Sequence, residues 1–207
     1  GYQAASSYYL ARNLKHLPLA ITHPSGDTTV LPHHSQDLYD AVRSFGGNQV
    51  ELYYYPGGHG ANSVEYDNRW QLDFLSRYTL LDNPSDLDIR AIYTKDYYWL
   101  RVEKSIYDSF TDISVRFSVL EGWIDVGVSD AKRSSTLKLD LARMGFSSQG
   151  TYTVEDTVLG TGDYTMSTIS PIDGRLVLSA SVGEHRFRIT RGLLPTPTRM
   201  RLVQGVD

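Results

Sequence analysis

Asp27 and His59 are the residues whose type and setting most directly spell out chemistry. Asp27 follows a short apolar run, residues 17–22, in the loop His23-Pro24-Ser25-Gly26-Asp27-Thr28-Thr29-Val30. His59 follows a second β-rich run, residues 49–55, in the turn Pro56-Gly57-Gly58-His59-Gly60. A histidine positioned by a carboxylate is a general base. The carboxylate fixes the tautomer and stabilises the imidazolium that forms when the far ring nitrogen takes a proton. The pair points to activation of a hydroxyl nucleophile for attack on an ester or amide carbonyl. That nucleophile is missing from the pattern. Gly-x-Ser-x-Gly occurs nowhere in the 207 residues, and Gly1-Tyr2-Gln3-Ala4-Ala5-Ser6-Ser7 lacks the glycines that let a serine occupy a strained strand-to-helix turn. Cysteine is absent, which excludes thiol catalysis, disulfides and thiolate metal sites.

Other polar candidates read as structural. His23 is expected to hydrogen-bond the loop that carries Asp27, and Ser35 to be a helix N-cap or first-turn residue. His33 and His34 are adjacent, so on a helix they diverge and do not form an i, i+4 metal pair. His185, between Glu184 and Arg186 in an alternating segment, is expected at the surface. Gly160-Thr161-Gly162-Asp163 is a turn, with neither the lysine nor the following helix of a phosphate loop. Tyr97, Tyr98, Trp99 and Trp123 read chiefly as core filling, with stacking on sugar rings as the functional alternative.

Two kinds of element must position these groups. Helical spacing over 2–14, an apolar run at 17–22, a helix from 33 or 35 to 45 closed by Gly46-Gly47, the strand 49–55 and a helix over 64–78 alternate in the manner of a parallel sheet with covering helices. The last helix is expected to turn Trp70, Phe74 and Leu75 inward. Residues 81–86 read as a linker, after which the hydrophobic period becomes two. Ile113/Val115/Phe117/Val119, Ile124/Val126/Val128, Leu137/Leu139/Leu141, Leu176/Leu178/Ala180 and Phe187/Ile189 alternate with polar neighbours. Roughly eight or nine short strands of this kind imply an antiparallel β-sandwich. The expected organisation is therefore partial α/β over 1–82 and an all-β sandwich over 83–207. The tail after Gly192 reads as an edge strand or loosely ordered.

The first of these segments also resembles a known family. A strand, then His23, Asp27 and Val30, then Ser35 with Leu38-Tyr39 on a helix, then a strand ending Tyr55-Pro56 and the turn Gly58-His59-Gly60, is similar to the closing segment of prolyl-oligopeptidase-type α/β-hydrolases. The resemblance covers about residues 14–78. It implies that Asp27 and His59 are the second and third members of a Ser…Asp…His triad, that no metal or organic cofactor is needed, and that the substrate is a peptide or ester. Two positions depart from the family pattern: Pro24 stands where a glycine is usual, and the proline after Val30 is displaced to Pro32. The early strands, the serine elbow and the oxyanion loop lie upstream in that family, so the missing N-terminal portion of the hydrolase is the expected partner and the chain alone is expected to be inactive. The opening residues read as mid-domain sequence.

Composition limits the alternatives. A net charge of −4 with no basic run gives no footprint for nucleic acid, and no apolar stretch approaches a membrane span. Fifteen tyrosines and three tryptophans lean towards a sandwich and an exported protein. A non-catalytic reading remains beside the hydrolase one, in which the sandwich is a binding or docking module for carbohydrate, the cell surface or a partner domain.

Overall fold

The computed structural model describes residues 7–61, 69–104, 109–130 and 132–191. The readings made for residues 1–6, for the start of the helix over 64–78 and for the tail after Gly192 lie outside the described residues.

Tyr8–Leu14 forms a 3-10 helix, with only Ala11 fully buried. Strands β1 (Leu19–Pro24) and β2 (Val50–Tyr55) pair in parallel. Parallel neighbours need a crossover, and α1 (His33–Ser44) supplies it. Val42 of α1, Ile21, Val50 and Ala11 form a small apolar cluster, with Leu38 and Phe45 packed against it. Gly46 ends α1 in a left-handed conformation, φ 89°, that a β-carbon would strain. Helix α2 (Arg69–Ser76) buries Phe74 completely, and Trp70 stacks on Tyr53 at 5.0 Å. Leu75 is 58% exposed, which corrects its expected inward position. Consecutive helical residues diverge by about 100°, so with Phe74 fully buried Leu75 is turned towards the flank of the helix.

Beyond residue 85 the period-two pattern folds into antiparallel strands. These are β3 (Asp86–Ala91), β4 (Lys95–Tyr97), β5 (Leu100–Lys104), β6 (Thr111–Ser118), β7 (Trp123–Asp130), β8 (Ser135–Asp140), β9 (Tyr152–Leu159), β10 (Tyr164–Ile169), β11 (Arg175–Ala180) and β12 (Gly183–Arg191). They build a six-stranded sheet, β10-β9-β12-β7-β6-β3, and a four-stranded sheet, β11-β8-β5-β4. The described residues hold ten such strands, one or two more than expected, and Asp86, placed in a linker by sequence, already begins β3. Val119 falls after the end of β6 and is 48% exposed, so the alternation of that segment stops one step early. Ile113, Val126, Phe187 and Ile189 from one sheet and Val102, Leu137, Leu139 and Leu176 from the other fill a single core. Each such side chain contributes about 1.5–3 kcal/mol on burial. Trp99 is 1% exposed, packs edge-to-face on Phe117 at 5.3 Å and donates its indole N–H to the Pro84 carbonyl at 2.8 Å. It is a core residue. Between β8 and β9, a single helical turn α3 (Leu141–Met144) is capped by Asp140, whose carboxylate accepts from the Arg143 N–H at 3.1 Å.

The 3-10 helix is fastened to the edge of the six-stranded sheet. Asn13 donates its side-chain amide to the Arg90 carbonyl at 3.0 Å and accepts the Arg90 N–H at 2.6 Å, taking the place of a neighbouring strand along edge strand β3. Lys15 bridges Asp86 and Asp88, the second at 3.0 Å, and the His16 ring bonds the Asp86 carbonyl at 2.7 Å. Arg12 and Arg90 converge on Asp112. Among the described residues, no helix is long and apolar enough to cross a membrane.

Candidate functional site

The register of β1 on β2 ends with Pro24 opposite Tyr55, so the two loops leave the sheet level with each other. Backbone bonds then hold them together: Ser25 N–H to the Tyr55 carbonyl at 2.7 Å and Gly26 N–H to the Gly57 carbonyl at 2.8 Å. A β-carbon on Gly26 would stand 2.8 Å from that same carbonyl oxygen, so the close approach requires glycine. The departures at Pro24 and Pro32 do not prevent the loop from closing. Pro24 ends β1, and Pro32 caps α1.

This arrangement brings Asp27 and His59 together. One oxygen of Asp27 accepts the backbone N–H groups of Thr29 and Val30, each at 2.9 Å, and the other lies 3.1 Å from Nδ1 of His59. Asp27 is buried, whereas the His59 side chain is 56% exposed. Burial by itself would raise the Asp27 pKa, but the N–H of Val30, the His59 ring and the N–H of Thr29 together hold it below its ordinary value. An ionised Asp27 accepts a hydrogen from Nδ1, which leaves Nε2 of His59 with its lone pair. That nitrogen has no hydrogen-bond partner among the described residues and is placed to take a proton. Gly57 and Gly60 carry positive φ on either side of His59, and the Tyr55 hydroxyl donates to the Ala61 carbonyl at 2.9 Å, bracing the turn.

His23 supports the aspartate loop. Its Nε2 donates to the Val30 carbonyl at 2.9 Å and its Nδ1 accepts from the Ser35 hydroxyl at 2.7 Å, so a single neutral tautomer serves both bonds. At 3.8 Å its Nε2 is too far from Asp27 for a hydrogen bond. Ser35 is a first-turn residue of α1 occupied by His23, and the N-cap is Pro32. His33 and His34 were expected to diverge, yet their ring centroids are 4.1 Å apart, and with Asp37 their ligand atoms fall within 4.8 Å of one another. All three are exposed, and they sit at the positive end of the α1 dipole, which disfavours a cation.

The expectation for His185 is corrected. It is only 3% exposed and stacks on Phe187 at 5.6 Å. Its Nδ1 meets both oxygens of Asp156, at 2.9 and 3.1 Å, while Nε2 meets the Ser181 hydroxyl at 2.9 Å. The usable signal was parity: His185, Phe187 and Ile189 occupy alternate positions of one strand and therefore share its inner face.

One further concavity, of about 500 Å³, lies between the 3-10 helix and β3–β5 and is lined by Leu10, Leu14, Tyr93, Tyr97 and Tyr98 among others. Tyr98 takes a left-handed backbone, φ 53°, and its buried hydroxyl has no hydrogen-bond partner among the described residues. Trp123 is half-buried and donates to Glu121.

No protein-family model matches the chain, and no curated protein matches it. Among solved structures, a Paenibacillus polymyxa xyloglucanase from glycoside hydrolase family 44 aligns with 84% of the chain at 11% identity and a TM-score of 0.32. The aligned part is 32% of that enzyme, and a superposition this loose assigns neither fold nor activity.

Proposed function

We propose that residues 1–82 supply the Asp–His half of a serine hydrolase site, a peptidase or esterase of the prolyl-oligopeptidase type, with residues 83–207 as an accessory sandwich. The observation that supports this most is the 3.1 Å contact between Asp27 and Nδ1 of His59, made by a buried, backbone-anchored carboxylate to a ring whose far nitrogen faces outward. His59 acts as general base towards a serine hydroxyl and then as general acid towards the leaving group, with Asp27 as its orienter. The serine and the oxyanion hole come from polypeptide beyond this sequence, which contains no Gly-x-Ser-x-Gly. The test is expression of the parent gene product. Hydrolysis of peptidyl p-nitroanilides should appear, and His59→Ala should abolish it. A parent protein without a serine elbow, or activity indifferent to His59, would sink the reading.

A second reading rests on the tyrosine-lined concavity. Tyr97 and Tyr98 bring aromatic surface to this concavity beside Leu10 and Leu14, and the apolar face of a sugar ring packs on such surface. Retention on insoluble polysaccharide, lost in Tyr97→Ala, is the expected result for a binding module. Trp99 is unsuitable as the control residue because it belongs to the core. Failure of the chain to be retained on any polysaccharide removes this reading.

A further inference from the structure

We infer that Ser181, His185 and Asp156 form a second acyl-transfer triad, all three members of which lie within this chain, in which Ser181 is a nucleophile towards small activated esters. Ser181 and His185 are four residues apart, and Asp156 is brought to them from the neighbouring strand. Asp156 lies on β9 and His185 on β12, its neighbour in the six-stranded sheet. Ser181 lies in the two-residue link that carries the chain from β11 in the four-stranded sheet to β12 in the six-stranded one. The hydrogen-bond sequence is continuous: carboxylate to Nδ1 at 2.9 and 3.1 Å, then Nε2 to Oγ at 2.9 Å. With Asp156 accepting the Nδ1 hydrogen, Nε2 is the acceptor and the Ser181 hydroxyl the donor, which is the direction that withdraws a proton from the nucleophile.

Accessibility separates the roles of the three groups. His185 is buried, its ring lies parallel to that of Phe187 at 5.6 Å, and both of its nitrogens are hydrogen-bonded, which fixes its orientation. Ser181 is exposed, in the link at the end of the sheets, and its Oγ–Nε2 bond is only partly buried. Val182, next in the chain and 57% exposed, gives a short acyl group an apolar surface. In the reaction, Oγ bonds to the acyl carbon while its proton passes to Nε2 of His185. The ester C–O bond then breaks, and the alcohol departs with that proton. Water, deprotonated in turn by Nε2, cleaves the acyl-serine to give the carboxylic acid and restores the serine. One ester and one water yield one acid and one alcohol.

The test is covalent labelling with a fluorophosphonate, which leaves phosphorus bonded to Oγ and releases fluoride. The labelled residue is mapped by mass spectrometry on the intact chain. Ser181 should carry the label well in excess of the exposed serines Ser148 and Ser170, which serve as internal controls. Asp156→Asn, nearly isosteric, should slow labelling by at least about tenfold, with an unchanged circular dichroism spectrum. Ser181→Ala should remove both the label and any turnover of p-nitrophenyl acetate by the chain alone. No label at Ser181, label spread evenly over the exposed serines, or a rate unaffected by a folded Asp156→Asn would each overturn the inference. Because the readout is a mapped serine in this chain, it stands or falls separately from the proposal for Asp27 and His59.

Discussion

Two histidine–aspartate pairs with nearly equal separations sit in very different surroundings. At His59 the carboxylate is buried and the ring exposed, and the carboxylate is fixed by two backbone N–H groups of its own loop. At His185 the ring is buried and the carboxylate partly exposed, and both belong to strands. The far nitrogen of His59 meets no described residue, while that of His185 already holds a serine. A 3 Å contact therefore does not by itself say what a pair does. The first pair leaves a ring nitrogen open at the surface, and the second is closed within the sandwich and braced by its core.

The contrast can be broken or sharpened by experiment. If the proposed function holds, the largest effect is expected in a parent protein that supplies the serine. There Asp27→Asn should lower kcat by about 10⁴-fold, while Asp156→Asn leaves that activity alone. Next comes stability. His185→Ala removes a buried ring and orphans Asp156, and should cost about 2–4 kcal/mol in urea unfolding. His59→Ala, at a solvent-exposed ring, should stay within about 0.5 kcal/mol. Equal losses at the two histidines would erase the distinction. Gly26→Ala comes third. Its β-carbon would press on the Gly57 carbonyl and part the two loops, lowering parent activity by about 10²-fold with little change in the sandwich. The smallest effect concerns acid. The Asp27 pKa is depressed below 3.8, so the loop stabilisation it provides is complete above that value and is lost as pH falls through the lower folded value. Protection of the Thr29 and Val30 amides from hydrogen exchange should decline there.

The meeting of Asp27 and His59 was legible in the sequence because their placement is local. Each follows directly on a strand, and a parallel register carries the two loops to the same level. The alternation after residue 85 was equally legible, since burial on one face leaves a period that needs no knowledge of partners. What failed depended on pairings. His185 sits between two charged residues and looks exposed until its parity with Phe187 is noticed. Its partners Asp156 and Ser181 follow only from the β9–β12 register and the β11–β12 link. Leu75 failed because apolar spacing marks a stripe of α2 without saying which of two neighbouring residues lies at its centre. The tightening of Tyr8–Leu14 into a 3-10 helix was equally hidden, because the same apolar residues suit either winding.

The Asn13 amide on edge strand β3, with Lys15 across Asp86 and Asp88, has a consequence for the integrity of the chain. A protease that cuts the exposed stretch around Leu80–Asp82 would sever the covalent route between the small apolar cluster and the sandwich, but would leave those bonds intact. The nicked halves should still elute together from a sizing column and separate only in denaturant. What the backbone joins at one point, the side chains splice at another.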